Sequence, residues 1–228
     1  MLNTWQMNCY KYRRRGFNDV KTFKDTQEVN IWLERNYSSD IKKLNDVDNP
    51  KYKPLHFYTG NAFVWWNKVL RTSKCIDLND LKRYVSNSSD SIFIDDDFDS
   101  ITKIRQLLSE VKICEDIVVY RFMKKSDFKK LLLNKISKNV YIDYGFLSTT
   151  LLPFSEDIYK LRNDRGYQIL LKLNVPKGTN GMPIKYDRKH SAIEEYEVIL
   201  DFGLKLEFKR KCFYWKHYIK VYEFDILI

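Results

Sequence analysis

Asp116-Ile117-Val118-Val119-Tyr120-Arg121 is the stretch at which this chain changes character. It is short, apolar and β-branched, and it reads as a strand. Before it the chain reads as helix and polar loop. Residues 18–36 offer Val20, Phe23, Val29, Trp32 and Leu33 for one helical face. Residues 58–71 and 77–86 are amphipathic, and in 97–112 Phe98, Ile101, Ile104, Leu107, Leu108 and Val111 keep helical spacing. Residues 38–54 are polar, with a turn signal at Asn49-Pro50, and Asn87-Ser88-Ser89-Asp90 reads as a loop. After Arg121 the sequence predicts a helix over 126–136, with Ser126 as its cap. Strands are expected over 144–149, 167–174, 194–201, 204–210 and 213–226. Helices first and strands second predict an α+β fold.

Length and composition bound the rest. The 228 residues fit one domain, 1–228, with a mostly helical part over 1–112 and a β-rich core over 113–228. A hydrophobic content of 44% is enough for a core, which excludes a disordered chain. No apolar run approaches the ~20 residues of a membrane span. The N-terminal segment lacks the apolar stretch of a secretory signal, so a cytoplasmic place of action is expected, in the producing or a target cell. Cys9, Cys75, Cys114 and Cys212 stand far apart, as do His56, His190 and His217, so no metal site is expected. The net charge is 40 − 30 = +10, which suggests an anionic partner. There is no G-x-G-x-x-G, Walker loop, H-E-x-x-H or G-x-S-x-G, which sets aside the common nucleotide, zinc-protease and serine-hydrolase signatures.

Three short features of the β-rich half carry chemistry. Tyr120-Arg121 ends an apolar strand and places a guanidinium, whose fork fits phosphate oxygens, at the sheet rim. Ser148-Thr149-Thr150 sets adjacent hydroxyls where they can orient another side chain. Glu195-Tyr196-Glu197 puts two carboxylates at i and i+2, the same face of a strand. Close carboxylates repel, so the arrangement suits a site that needs negative charge. Singly, each also reads as ordinary surface or strand chemistry.

In this order the three resemble the arginine–serine–glutamate class of mono-ADP-ribosyltransferases, which includes the clostridial binary-toxin enzyme components. Leu170-Leu171-Lys172-Leu173-Asn174-Val175-Pro176-Lys177-Gly178-Thr179-Asn180-Gly181 is similar to the family's strand and turn before its acceptor loop. Glu195 to Gly203 resembles its catalytic strand, and Tyr58 to Arg71 its Tyr…Asn-x-x-Leu-Arg helix, with Asn67 at the Asn position. Thr150 replaces the family's third Ser, Phe63 stands where Tyr is frequent, and Phe122-Met123-Lys124-Lys125 replaces small residues after the arginine.

The resemblance implies two mostly antiparallel sheets forming a cleft for NAD, under an N-terminal helical cap. NAD is then a consumed substrate. Arg121 would hold NAD oxygens, with Tyr120, Thr149, Thr150, Asn67 and Phe63 nearby. Ser148 would orient Glu197, and Glu197 would stabilise the oxocarbenium-like state as nicotinamide leaves. Glu195 would orient or deprotonate the acceptor. Phe154, Arg162 and Arg165 are candidates for a phosphate–nicotinamide loop. Tyr186, Arg188 and Lys189 would belong to the acceptor loop, which also holds His190.

The family pattern associates Glu at position 195 with an arginine acceptor on a protein. The basic loop, the +10 charge and the 16 Tyr, 14 Phe and 5 Trp also fit a nucleic-acid acceptor, as for an intracellular toxin with an antitoxin. A non-enzymatic basic binding module is the third reading. A delivery component or an antitoxin is the expected partner.

Overall fold

The computed structural model describes residues 20–46, 48–87, 95–186 and 196–228. Its helices are α1 (Thr26–Leu44), α2 (Lys53–Phe57), α3 (Phe63–Ser73), α4 (Leu78–Asn87), α5 (Asp95–Val111), α6 (Lys125–Leu133) and α7 (Glu156–Asp164). A π-helical turn, Tyr58–Ala62, joins α2 to α3. The strands are β1 (Ile117–Met123), β2 (Lys135–Ser137), β3 (Val140–Asp143), β4 (Leu147–Thr150), β5 (Ile169–Val175), β6 (Gly181–Ile184), β7 (Glu197–Leu200), β8 (Leu204–Tyr214) and β9 (Ile219–Leu227). The α+β organisation expected from the sequence is present: among the described residues five helices precede β1, and all nine strands begin at or after it.

The first helix begins later and ends later than its sequence pattern suggested. Asp25 is extended (φ −153°, ψ 174°), and its carboxylate accepts from Glu28 N at 2.9 Å. That satisfies one of the free N–H groups of the first turn and fixes the start at Thr26. Lys21 is drawn instead into a parallel bridge with Ile117. The helix continues through the polar stretch after residue 36 because Tyr37, Ile41 and Leu44 extend the buried stripe begun by Val29, Trp32 and Leu33. Trp32 Nε1 donates to Glu115 at 2.5 Å, which pins the helix to the residues just before β1.

Two sheets were expected; the structure has one, in the order β2-β3-β8-β9-β5-β1-β4-β7-β6. All pairings are antiparallel except β5 with β9. The reason for the difference lies at one seam. β1 shares seven registered pairs with β5, but only Tyr120↔Thr150 with β4. The sheet is therefore a six-stranded half and a three-stranded half (β4, β7, β6) joined at one residue pair.

Side-chain alternation divides the core accordingly. Ile117, Val119 and Met123 of β1, with Leu147, Val198 and Leu200, face a core shared with α1 and α6. Ile199, Met182 and Ile184 face a second core under α2 to α5, filled by Tyr58, Trp66, Leu70, Ile101, Ile104, Leu107 and Phe146. A smaller cluster of Leu170, Ile219 and Val221 lies elsewhere on the six-stranded half.

Other boundaries also moved. The expected helix over 126–136 stops at Leu133, and the chain turns into β2. Of the strand expected over 144–149 only 147–149 is strand, in β4; β3 ends at Asp143, before the expected run begins. The run 213–226 divides at a 3-10 turn, Trp215–His217, followed by Tyr218 at φ 47°. The strand expected over 194–201 is described only from Glu197, because Tyr196 has φ 45°, which no strand permits. Helix α7 and strands β3 and β6 lie where no element was expected, and β2 begins within the expected helix.

Gly181 opens β6 against Leu200 of β7. A Cβ there would stand 2.6 Å from Leu200 Cδ2 and 3.0 Å from the Ile199 carbonyl oxygen. Gly181→Ala is expected to destabilise the fold by about 1–3 kcal/mol through overpacking. Urea unfolding followed by far-ultraviolet circular dichroism checks this.

Candidate active site

Of the residues that the sequence singled out, the seam between the sheet halves gathers Arg121, Ser148 and Glu197. Registers Tyr120↔Thr150 and Thr150↔Glu197 align β1, β4 and β7 in one row. Arg121 is the next residue of β1, and its Nη1 donates to the Ser148 carbonyl at 2.9 Å. Ser148 Oγ in turn donates to Glu197 Oε1. Arg121, Ser148 and Glu197 thus form one hydrogen-bonded chain across three strands. Glu197 stands at the open start of β7 and keeps partial solvent contact. Tyr196 before it is buried in the left-handed region, a strained conformation for a bulky residue. Its carbonyl accepts from Leu151 N at 3.0 Å, which holds the strand start in place.

A second set of side chains backs this row. Arg71, from α3, donates to both Asp143 oxygens, at 3.1 and 3.4 Å. Asp143 also accepts from Gly145 N at 2.9 Å. Asn67, one helical turn before Arg71, is buried and donates Nδ2 to Tyr58 Oη at 2.9 Å. Tyr58 donates to the Phe146 carbonyl at 3.4 Å. Burial raises the Tyr58 pKa above the ordinary phenol value, although Arg121 and Asn67 pull it down and Glu197 adds to the rise. The phenol is therefore neutral, and it feels both members of the Arg121–Glu197 pair.

The charge balance points to an anion. Burial would lower the Arg71 pKa, but Asp143 more than offsets this and the net direction is upward. Arg121 shifts the other way: burial lowers its pKa first, and the like charge of Arg71 lowers it further. Its Nε is buried without a hydrogen-bond partner. Both guanidiniums thus draw on Asp143, and one Arg121 donor is unused. A phosphate group answers both needs. Asn67 Oδ1 is likewise buried without a partner and is available to a ligand amide or hydroxyl.

The other expected site residues fall in several places. Thr149 Oγ1 donates to the Val198 carbonyl at 2.7 Å, and Thr150 Oγ1 accepts from Leu152 N at 3.1 Å, so both help hold the strand. Tyr120, next to Arg121, lies on the opposite face by alternation and packs against the small cluster around Leu170. Phe154 belongs to that cluster as well, stacked on His217 at 4.1 Å. Arg162, on α7, donates to the His217 carbonyl at 3.0 Å and lies over the Phe122 ring. Arg165 is exposed just beyond α7. Phe63 stands at the start of α3, its ring edge-on to Tyr58 at 6.5 Å. Tyr186 Oη is 2.7 Å from Thr59 Oγ1, and its ring lies 5.3 Å from that of His56. Burial, with Glu197 contributing, pushes its pKa up to about 12. Arg188, Lys189, His190 and Glu195 lie outside the described residues.

Tyr58, Arg71 and Asp143 were not among the expected site residues. The first two are legible in the Tyr…Asn-x-x-Leu-Arg spacing; nothing in the sequence marks Asp143. Among the described residues, no group of three or more His, Cys, Asp or Glu side chains is placed to hold a metal ion. No helix among them is long and apolar enough to cross a membrane.

Gly145 gives this arrangement a sharp test. A Cβ there would stand 2.7 Å from Asn67 Oδ1 and 2.8 Å from the Arg71 guanidinium. Gly145→Ala is expected to displace both side chains and weaken dinucleotide binding roughly tenfold or more, about 1.4 kcal/mol. Calorimetric titration with NAD reads the loss, and an unchanged affinity would refute the assignment of Asn67 and Arg71 to the pocket.

Known proteins share the fold and the family pattern of this chain. The family model for the ADP-ribosyltransferase exoenzyme matches residues 29–214. Sequence comparison with curated proteins gives no match. Among solved structures, a C3-type protein from S. aureus, determined with NAD, is similar with a TM-score of 0.65 and 17% identity, over 92% of this chain and 99% of that one. An ADP-ribosyltransferase from Clostridium botulinum has a TM-score of 0.63 and 18% identity, over 92% and 99%. BECa, the ADP-ribosylating toxin of a C. perfringens binary enterotoxin determined with NADH, has a TM-score of 0.62 and 19% identity over 90% of this chain. This chain covers only 49% of BECa, about half its length. At these identities the structures show a shared fold; the family model, which spans most of the chain, shows more. The chain belongs to the ADP-ribosyltransferase exoenzyme family.

Proposed function

We propose that the protein is an NAD-dependent mono-ADP-ribosyltransferase that modifies arginine on a protein acceptor. The observation that carries this reading is the hydrogen-bonded chain Arg121–Ser148–Glu197 beside a second guanidinium. Arg121 and Arg71 bind the diphosphate of NAD. Ser148 holds the Glu197 carboxylate towards the nicotinamide ribose. As the glycosidic C–N bond breaks, the electron pair leaves with nicotinamide and positive charge develops on the ribose. Glu197 stabilises that charge, and because it is already held in place no reorganisation is needed. The acceptor nitrogen then attacks the anomeric carbon. Glu195 takes its proton, since a guanidinium with a pKa above ~12 is a poor nucleophile until it loses one.

Tyr186 is the described anchor on the acceptor side, through its contact with Thr59 and its proximity in charge to Glu197. The arginine acceptor rests on Glu195. The +10 net charge supports the second reading, a nucleic-acid acceptor. The names of BECa and of the C2-I component of C2-toxin describe parts of multi-component toxins, which supports a separate delivery partner for this chain. We place its action in the cytoplasm of a producing or target cell.

Glu197→Gln is expected to abolish both transfer and NAD cleavage, by about 10²-fold or more. Glu195→Gln is expected to lose transfer while retaining NAD cleavage. Nicotinamide release and label transfer from ³²P-NAD in a cell lysate, measured in parallel, separate the two steps. Equal loss of both in the two variants would overturn the division of roles. Label removed by protease supports the protein acceptor; label removed by nuclease overturns it in favour of nucleic acid.

A further inference from the structure

Away from the active site, a groove of about 510 Å³ runs between α6 and the tip of the β8–β9 hairpin. Its floor is apolar, with Phe128, Ile169, Phe213 and Tyr222. Three lysines line it: Lys125 and Lys129 on α6, and Lys220 on β9 in register with both Ile169 and Phe213. Neither Arg121, Ser148, Glu197 nor Arg71 lines it, and neither does any carboxylate.

Several other cations of the sheet meet carboxylates: Lys172 and Arg210 pair with Glu223, and Lys209 with Glu207 and Asp225. On α6 itself Lys130 pairs with Asp127. Lys125, Lys129 and Lys220 make no ion pair among the described residues. The groove thus sets three cations without an ion pair beside an apolar floor and no lining carboxylate.

We propose that this groove binds an extended acidic segment of a partner protein, in which carboxylates alternate with apolar side chains. Spacing selects that occupant. Lys125 and Lys129 are four residues apart on one helix face, a separation of about 6 Å along the axis. Alternate residues of an extended chain are about 6.6–6.8 Å apart. Carboxylates at positions i and i+2 meet the two lysines, while the residues between them point the other way, into the floor. Lys220 meets the next carboxylate from the opposite wall, and the exposed Gln168 amide is available to the peptide backbone. Nucleic acid fits less well. Base stacking needs open ring faces, and Phe128 is buried, packed against Tyr222 at 4.2 Å. Tyr218, at 79% exposure, is the one open ring among the lining residues.

Fluorescence polarisation on the full chain tests this. The probe is a fluorescein-labelled peptide, Gly-Glu-Phe-Glu-Leu-Glu-Phe-Glu-Gly. Its control, Gly-Glu-Glu-Glu-Glu-Phe-Leu-Phe-Gly, has the same composition with the charges grouped. The alternating peptide is expected to bind at least about tenfold more tightly than the control, and to weaken as salt rises. The combined variant Lys125→Glu, Lys129→Glu, Lys220→Glu is expected to lose that binding. The same charge change at exposed Lys42, Lys82 and Lys103 is expected to leave it within about twofold. Thermal melts show whether both variants are folded; were the first to unfold, Lys129→Glu alone is read in its place. Equal affinity for the two peptides, or equal loss in the two variants, would reduce the effect to net charge and overturn the proposal. So would binding of a dT oligonucleotide or of phosphatidylserine vesicles that the groove variant abolishes while the peptide fails to bind.

Discussion

One pair of residues, Tyr120 opposite Thr150, joins two halves of a nine-stranded sheet. Were β1 and β4 paired along their length, the sheet would be continuous and Arg121 would be one more residue of a covered strand. Because the pairing stops after one residue, the next position of β1 is released at the seam. The Arg121 guanidinium can then reach the Ser148 backbone, while Ser148 reaches Glu197 one strand further on. A break in the ladder leaves backbone groups to be satisfied, and here a side chain satisfies one of them. The Arg121–Ser148–Glu197 row therefore follows from the place where the sheet ceases to be a sheet.

The helical half of the chain completes what the seam begins. The second core fixes α3 against the three-stranded half through Trp66, Leu70 and Phe146. That packing delivers Asn67 and Arg71 to the site from a rigid helix rather than from a loop, which limits their conformational freedom before any ligand arrives. Asp143 neutralises Arg71 and leaves Arg121 short of counter-charge. The hydrophobic effect does the positioning, and the electrostatic imbalance that results selects the ligand.

The reading of the sequence succeeded where several weak local signals agreed in order. The β-branched run before Arg121, the hydroxyls at 148–150 and the apolar run after Glu197 were legible from residue type, and each lies in a strand. The Tyr…Asn-x-x-Leu-Arg spacing carried the helix and, with it, two side chains of the site. What the sequence concealed depends on contacts distant along the chain. Asp143 matters because Arg71, 72 residues earlier, folds back onto it. The seam follows from strand order, which no local pattern encodes. Phe154 and Arg162 read as one loop, but Arg162 lies on α7 and Phe154 in the outer cluster, and both meet His217 at the hairpin tip. Tyr196 misled the strand assignment, since no propensity foretells a left-handed tyrosine.

The two margins of the sheet carry a consequence for how the molecule behaves in a crowded solution. An uncovered edge strand is a template for pairing with another chain. At one margin, β6 is wholly buried, and α1 secures the residue after it, Asn45 donating to the Lys185 carbonyl at 3.0 Å. At the other, β2 is three residues long, fully exposed, and bounded by Lys135 and Lys138. A strand that short offers few backbone bonds, and its lysines repel the same edge on a second copy. The sheet can thus open at its middle while neither margin is a ready template for self-association.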